Sequence, residues 1–346
     1  MKEKVYPCKT PRYLKDGDAI ELVAPSFGCT TEPYLTRLLA SIKRLKKEGY
    51  RIKEGRNIYL SEGIVASSTA ENRAKEFMDA YLSEDSSLIL SVGGGELMAE
   101  MLPYIDFDAL AKSTPKWFMG FSDNANLTFL LPILAGVKTI YGPNAPSFFE
   151  KPYRLAQLDA LRLLKGEKET KGYPKFFGKS SKDWPALYKP RANREKVIKA
   201  INYDKPVEGL LLGGCLDVIR GLCGTKLDKV REFVSKQESV IWFFEACDLS
   251  PLDIRRALFQ LDEAGWFNNA KMFLFGRHLC ENWPNNEFMG INPHTATSLL
   301  LEDRGLPLLL DIDLGHIGPS MPIIEGAYAK VEYKDNNIFI SYLEED

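Results

Sequence analysis

A serine between a predicted strand and a predicted helix is the first residue of this sequence that could take part in catalysis. The apolar stretch WFMGF (117–121) predicts a buried strand, and NANLTFLLPILAG, which follows Ser122 and Asp123, predicts a helix. A serine on such a turn exposes its hydroxyl in front of the free backbone N–H groups of the helix. The G-x-S-x-G nucleophile motif is half matched, because Asn124 replaces the second glycine. Taken alone, Ser122 is interpreted as a helix N-cap, with a nucleophile as the alternative.

A nucleophilic serine needs a base, and the sequence offers three histidines. His316 and His278 each follow a predicted apolar strand, whereas His294 in NPHTA lies where a helix is predicted to begin. For the carboxylate that orients the base, Glu245 ends the apolar run VIWFF, and Asp248 is the nearby alternative. Composition and spacing leave both choices open.

A run of three glycines supplies candidate oxyanion donors. Gly94 and Gly95 follow the predicted strand SLILSV, and glycine lets backbone N–H groups approach a ligand closely. The run lacks the spacing of a dinucleotide-binding loop, and no Walker lysine follows it. One of these N–H groups, together with that of Asp123, would suit an oxyanion hole, and a simple tight turn is the alternative.

The elements that position these residues alternate between strands and helices through the first 145 residues. Strands buried on both faces, with crossover helices between them, predict a parallel, doubly wound sheet, whose ligands bind beyond the carboxyl ends of the strands. Pro25-Ser26, the glycine run and Ser122-Asp123 all lie at such ends. We predict an N-terminal α/β nucleophile domain at 1–165, a connecting or insertion segment at 166–205, and a C-terminal domain at 206–346.

Composition excludes several classes of function. Hydrophobic residues make up 45% of the 346 residues and charged residues 27%, and a net charge of −2 provides no basic field for nucleic acid or an anionic membrane. The N-terminal stretch lacks the features of a signal peptide, and no apolar run is long enough to span a bilayer, which predicts a cytoplasmic protein. The six cysteines form no C-x-x-C pair, so free thiols are expected and no zinc site.

Six stretches in chain order resemble the LD-carboxypeptidase family of serine peptidases, which includes muramoyltetrapeptide carboxypeptidases and the microcin C self-immunity peptidases. GFSD is similar to the G-Y-S-D nucleophile motif of the family. The other stretches are GDAIELVAPS, VGGGELMAEMLPYIDFD, LLLGGCLDVIRGLCGT, FFEACDLSPLDIRRALFQLDEAGWF and LGHIGPSMPIIEGAYAKV.

The resemblance implies a role for each candidate. Ser122 would be the nucleophile, His316 the base and Glu245 the acid that orients it, so the resemblance selects between the alternatives that the residues left open. It also implies that the oxyanion hole is formed by backbone N–H groups of Asp123 and of Gly94 or Gly95. The implied fold is a flavodoxin-like, class I amidotransferase-like N-terminal domain with a smaller, β-rich α/β C-terminal domain. A homodimer without metal or other cofactor is implied as well.

The resemblance also frames the choice of substrate. Carboxypeptidase members remove terminal D-alanine from the murein tetrapeptide, and the immunity branch cleaves between a peptidyl aspartate and its nucleotide. The long middle segment with Trp184 resembles the immunity branch, in which a tryptophan stacks on the nucleobase; a packing anchor is the alternative for this residue. The chain departs from the family pattern at Phe121 (usually tyrosine), Gly93 (often arginine) and Cys215 (usually asparagine).

We therefore predict a serine hydrolase that cleaves an amide bond in a small peptide or peptidyl-nucleotide. The non-enzymatic alternative is a two-domain α/β protein that binds a small ligand. An amidotransferase-like hydrolase is a third possibility, but that class uses cysteine at the turn where this chain has Ser122.

Overall fold

The computed structural model describes residues 7–177, 186–187, 191–279 and 289–343. The chain divides into two compact units. The first comprises Met1–Glu167, Ser180–Arg191 and Pro322–Gly326, and the second comprises Lys168–Lys179, Ala192–Met321 and Ala327–Asp346. Within the described ranges, no helix combines the length and the apolar character needed to cross a membrane.

Strands provide the framework of both units. In chain order they are β1 Ala19–Val23, β2 Arg51–Glu54, β3 Leu88–Ser91, β4 Trp117–Gly120, β5 Thr139–Tyr141, β6 Glu169–Lys171, β7 Lys175–Phe176, β8 Arg194–Glu195, β9 Lys199–Ile201, β10 Val207–Cys215, β11 Val240–Glu245, β12 Ala270–Gly276, β13 Leu308–Ile312, β14 Ile323–Glu325, β15 Tyr328–Lys334 and β16 Asn337–Leu343.

Helices cover or connect these strands. The α-helices are α1 Tyr34–Lys47, α2 Ala70–Leu82, α3 Phe107–Lys112, α4 Ala125–Leu130, α5 Leu155–Leu164, α6 Leu216–Ile219, α7 Val230–Ser235, α8 Pro251–Glu263 and α9 Pro293–Leu301. Shorter 3₁₀ turns include Met98–Tyr104 and Ser122–Asn124, and a π-helical turn at Leu131–Ala135 continues α4.

The first unit contains a six-stranded sheet in the order β14-β5-β4-β3-β1-β2. Strands β1 to β5 run parallel, in the 2-1-3-4-5 order of flavodoxin-like folds. Every residue of β3 and β4 is buried, as expected for central strands covered by helices on both faces. The predicted α/β fold class is confirmed. The strand β14 was not predicted, and it pairs antiparallel with β5 at the edge of the sheet.

The second unit contains an eight-stranded mixed sheet in the order β6-β16-β15-β10-β11-β12-β13-β9. Its centre, β10 to β13, is parallel, and antiparallel strands complete both sides. The carboxyl ends of β11, β12 and β13 therefore lie at one edge of this sheet. The stretch AKVEYKDNNIFISYL predicts a terminal hairpin, and the structure confirms it as β15 and β16, joined by Asp335 and Asn336, whose φ angles of 51° and 56° suit a tight hairpin turn.

Local signals in the sequence explain why several helices begin where they do. The sequence Ser250-Pro251 predicts an N-cap followed by the first helical residue, and α8 indeed begins at Pro251, with the side chain of Ser250 accepting a hydrogen bond from the backbone N–H of Asp253. The stretch ELMAEMLPYI after the glycine run predicts a helix by its spacing, but the structure has a 3₁₀ turn there, Met98–Tyr104, which contains Pro103. Proline removes a backbone donor and disfavours a continuing α-helix.

Candidate functional site

Ser122 lies on a strained turn at the carboxyl end of β4. Its φ angle is 66°, in the left-handed region that a serine adopts only at an energetic cost of about 1–2 kcal/mol. Ser122 is the first residue of the 3₁₀ turn, whereas the N-cap positions of that turn and of α4 are held by Phe121 and Asn124. The geometry therefore fits a strand-turn-helix nucleophile elbow better than an ordinary N-cap.

The elbow is held by the asparagine that departs from the glycine motif. The Asn124 side-chain amide donates to the carbonyl oxygens of Phe121 (2.9 Å) and Gly93 (2.8 Å). Asn144 Oδ1 accepts a hydrogen bond from the backbone N–H of Phe121 at 2.9 Å. A Cβ atom on Gly120 would lie only 2.6 Å from Asn124 Cβ, so glycine is required before the turn. Asn124 therefore links the turn to the glycine run.

Asp123 connects the elbow to the two neighbouring strand ends. Its buried Oδ2 accepts hydrogen bonds from Ser26 Oγ at 2.5 Å and from the backbone N–H of Met98 at 2.9 Å. Burial raises the pKa of the Asp123 carboxyl, although its hydrogen-bond donors and the Arg73 guanidinium oppose that rise. The three strand ends identified in the sequence thus lie side by side.

The two candidate oxyanion glycines have different surroundings. A Cβ atom on Gly94 would lie 2.9 Å from Ser122 Cβ and 3.2 Å from Ser122 Oγ, so only glycine lets this backbone lie against the serine. A Cβ atom on Gly95 would instead lie within 2.1 Å of Ser26 Oγ. Gly94 is therefore the glycine beside the candidate nucleophile, and Gly95 contacts the end of β1.

The candidate base and acid are in direct contact within the second unit. Glu245 ends β11 and is fully buried, and His316 follows β13 with its Nδ1 atom 2.8 Å from Glu245 Oε2. Burial by itself lowers the pKa of His316. The charge of the Glu245 carboxylate and the hydrogen bonds of the imidazole to Cys247 and Glu245 outweigh burial, so the pKa lies well above its ordinary value. The alternative acid, Asp248, is exposed, and its backbone N–H donates to Asp217.

A glycine before His316 makes this contact possible. Gly315 has a φ angle of 103°, and a Cβ atom there would lie 2.8 Å from Glu245 Cβ. A side chain at this position would both strain the backbone and displace the glutamate. The Gly-His sequence therefore has a geometric reason in the packing of the His316 backbone on β11.

The other two histidines have separate environments. Burial lowers the pKa of His278 to about 4, and its ring stacks on Phe275 with centroids 5.3 Å apart. Among the described residues, neither ring nitrogen of His278 has a hydrogen-bond partner. His294 Nε2 lies 2.7 Å from Asp311 Oδ2, a pair that the sequence did not predict. This hydrogen bond is the main cause that raises the pKa of His294.

Sequence reasoning also missed the function of Asp217, which follows β10. Its carboxylate accepts three hydrogen bonds, from the backbone N–H groups of Cys247 (2.9 Å), Asp248 (2.7 Å) and Leu249 (3.0 Å). These residues come two to four positions after Glu245, so Asp217 orders the chain that leaves β11. The only signal in the sequence was an acidic residue at the start of a predicted helix.

Cys215 and Trp184 are the remaining positions that the sequence singled out. Cys215, which replaces the usual asparagine, is fully buried at the end of β10, and its Sγ lies 3.6 Å from Asp217 Oδ2. Burial and the carboxylates of Glu245 and Asp217 raise the pKa of this thiol well above its ordinary value. Trp184 lies outside the described residues.

Comparison with known proteins matches both halves of the chain. The sequence model of the LD-carboxypeptidase N-terminal domain matches residues 20–142, and that of the LD-carboxypeptidase C-terminal domain matches residues 208–331. The chain is 23% identical over 343 residues to the microcin C7 self-immunity protein MccF of Escherichia coli, covering 95% of this chain and 94% of that protein. It is 27% identical over 218 residues to the murein tetrapeptide carboxypeptidase of Pseudomonas aeruginosa, covering 60% of each.

The fold agrees with a solved structure. MccF in complex with glutamyl sulfamoyl guanosine superposes with a TM-score of 0.80 at 23% identity, covering 96% of this chain and 99% of that one. The two domain models match in chain order, and the match to MccF covers nearly the whole chain. The chain therefore belongs to the LD-carboxypeptidase family.

Proposed function

We propose that this protein is a serine hydrolase that cleaves an amide bond, with Ser122 as nucleophile, His316 as base and Glu245 as the acid that orients it. The family and the relatives support a peptidase or an MccF-like function. The single observation that carries the finer proposal is the buried carboxylate on His316 Nδ1. Such a contact selects the tautomer in which Nε2 is the basic nitrogen, as a serine hydrolase requires.

In the proposed mechanism, Ser122 Oγ attacks the amide carbonyl carbon while His316 Nε2 takes the hydroxyl proton. The negative oxygen of the tetrahedral intermediate would accept hydrogen bonds from the backbone N–H groups of Asp123 and of Gly94 or Gly95. His316 then gives its proton to the leaving nitrogen, and the C–N bond breaks to leave an acyl-enzyme. Water attacks the acyl group by the same sequence of proton transfers and releases the acid.

Paired substitutions test this mechanism. Ser122→Ala and His316→Ala should each lower kcat by roughly 10³-fold or more, and the double variant should add little, because nucleophile and base act as one unit. Ser235→Ala, on helix α7, is the control for replacing a serine. Turnover that survives in Ser122→Ala, with thermal unfolding unchanged, would show that the serine is not the nucleophile. A folded wild-type protein that binds ligands without turnover would favour the non-catalytic alternative.

For the substrate, we propose a peptidyl-nucleotide with an acidic residue at the scissile amide. The ligand in the MccF complex, glutamyl sulfamoyl guanosine, joins an acidic amino acid to a nucleoside. MccF also matches a larger part of this chain than the murein peptidase does. The competing substrate is the murein tetrapeptide, so purified protein should be assayed on both substrates side by side.

Trp184 offers a sharper test of the substrate class. The sequence places it in a lysine-rich segment, where an indole could stack on a nucleobase. Stacking is worth about 1–3 kcal/mol per base, so Trp184→Ala should weaken turnover of a peptidyl-nucleotide by roughly 5- to 150-fold. Turnover of the murein peptide, which has no base, should change little. Equal losses on both substrates would identify Trp184 as a packing anchor.

The cytoplasmic location and the homodimer stay predictions from the sequence and the resemblance.

A further inference from the structure

His316 lies in a loop of residues 313–321, which we call the His316 loop and which follows β13 without regular secondary structure. The loop closes on itself through two hydrogen bonds. The backbone N–H of Met321 donates to the carbonyl oxygen of Asp313 at 2.7 Å, and the N–H of Gly315 donates to Ser320 Oγ at 3.0 Å. The carbonyl groups beyond His316 find their hydrogen-bond partners outside the loop.

Arg277, the residue after β12, supplies those partners from a buried position. Its guanidinium donates to the carbonyl oxygen of Ile317 from Nε (3.4 Å) and Nη2 (3.2 Å), and Nη2 lies 3.5 Å from the carbonyl oxygen of Pro319. Its Nη1 atom donates to the carbonyl oxygen of Asp311 at 3.3 Å. One side chain therefore contacts the backbone on both sides of His316.

A buried carboxylate fixes the guanidinium in place. Asp313, fully buried, accepts a hydrogen bond from Arg277 Nη1 at 2.8 Å on Oδ1. Its other oxygen, Oδ2, accepts from Lys196 Nζ at 2.7 Å and from the backbone N–H of Tyr173 at 2.6 Å. The Phe176 ring covers the guanidinium at 4.7 Å. Two cations share one buried carboxylate, so the guanidinium is held by an ion pair as well as by its hydrogen bonds to carbonyl oxygens.

We propose that Arg277 is a positioning residue that holds His316 against Glu245, an inference that rests on the proposed function of His316. Arginine suits this task because its planar fork carries five donors and can bind several carbonyl oxygens together with a carboxylate. A lysine would keep the charge but lose the fork. Misplacing a catalytic group by about 1 Å can cost roughly 10² in rate, so the loss should be found in kcat rather than in KM.

The first experiment compares two substitutions in the same cluster. Arg277→Lys should lower kcat roughly 10²-fold, with KM within about threefold of wild type. Lys196→Met is the matched control, since it removes a buried cation from Asp313 but leaves the bonds between Arg277 and the His316 loop. Its kcat should stay within about threefold of wild type. Should Arg277→Lys fold poorly, Arg277→Gln leaves Lys196 and Asp313 as a balanced pair and should show the same loss of kcat.

A second measurement separates positioning from general stability. The chain has only three histidines, so the imidazole signals of ¹⁵N-histidine-labelled protein can be assigned individually. In Arg277→Lys, the Nδ1–H signal of His316 should shift or broaden while the signals of His294 remain. Wild-type kcat and an unchanged His316 signal in a folded Arg277 variant would overturn the proposal, as would an equal loss of kcat in Lys196→Met. If the wild-type protein hydrolyses nothing, the proposed function fails, and the His316 signal still decides whether Arg277 positions the ring.

Discussion

Among its described residues, the second unit has two histidine–carboxylate pairs of nearly equal length and different surroundings. His316 and Glu245 are 2.8 Å apart, with side chains 18% and 0% exposed. His294 and Asp311 are 2.7 Å apart, with side chains 43% and 24% exposed. Asp311 also has a φ angle of 63°, whereas Glu245 ends a regular, fully buried strand.

The difference in burial predicts different electrostatics for the two contacts. Both carboxylates raise the pKa of their histidine against the opposing effect of burial, and the pKa of His316, whose partner Glu245 is fully buried, is raised well above its ordinary value. In the interior, low dielectric strengthens the attraction, and fixed packing holds one ring orientation. Around the partly exposed pair of His294 and Asp311, water and salt screen the attraction more strongly, toward the contribution of about 0–1 kcal/mol that an exposed ion pair makes. Contact length alone therefore does not identify a catalytic pair.

The largest expected effect comes from removing each imidazole in turn. His316→Ala should lower kcat by roughly 10³-fold or more, because it removes the proposed base. His294→Ala should leave kcat within about threefold of wild type. Steady-state kinetics on the cleaved substrate, with circular dichroism to confirm folding, makes the comparison. A larger loss of kcat in His294→Ala than in His316→Ala would mean that His294 is the base.

Removing each carboxylate charge should give a smaller but still clear contrast. Glu245→Gln should lower kcat roughly 10²-fold, less than His316→Ala, because the imidazole remains but its tautomer is no longer fixed. Asp311→Asn should have little effect on kcat, and asparagine tolerates the left-handed backbone of this position. Equal losses in the two variants would mean that the protein does not distinguish the pairs by burial.

The pH profile sharpens the comparison further. His316 must lose its proton to act as a base, and its pKa is raised by Glu245. We therefore expect kcat/KM to increase with pH, with a midpoint above the ordinary histidine value of about 6.5. Glu245→Gln should move this midpoint to lower pH, and Asp311→Asn should leave it unchanged. A midpoint at or below 6.5 in wild type would contradict a charged Glu245 beside the ring.

The smallest expected effect is on the stability that the pair of His294 and Asp311 contributes. Because the folded-state pKa of His294 is raised, its pairing with Asp311 stabilises the protein below the unfolded pKa of about 6.5 and is lost as pH rises through the folded pKa. Asp311→Asn should therefore lower the free energy of unfolding at pH 5.5 by at most about 1 kcal/mol, and less in 1 M salt. Urea unfolding at pH 5.5 and pH 9 measures the difference. A larger loss at pH 9 would reverse the assigned sign.

The sequence predicted those parts of the fold whose signals are local. Apolar runs such as that ending at Glu245 identify central parallel strands, and the Ser250-Pro251 pair identifies the start of a helix. The three-residue strand Ile323–Glu325 has no such signal, because its pairing with β5 depends on residues far away in the chain. The 3₁₀ turn at Met98–Tyr104 has helical periodicity over too few residues to be told from an α-helix.

The candidate site was predictable to a similar extent. Ser122, Glu245 and two of the histidines were candidates because they lie at the ends of predicted strands, but only the resemblance selected His316. The left-handed backbone of Ser122 is a property of tertiary packing, in which Asn124 and the glycine run hold the turn. The contacts of Arg277 join residues more than 30 positions apart without any local pattern, so no motif could have indicated them.

The edge strand β14 has a consequence for how the protein is made. The sheet of the first unit needs Ile323–Glu325 beside β5, and Glu325 Oε1 also accepts a hydrogen bond from Thr128 Oγ1 in α4 at 3.0 Å. During synthesis, residues 19–141 emerge from the ribosome long before this strand is made. The nascent sheet therefore exposes the unpaired edge of β5 while the rest of the chain is synthesised. Unpaired edges readily bind other strands, which makes this interval the one in which chaperones matter most. A gene fragment that stops after residue 205 would keep that edge open permanently and should yield aggregated protein.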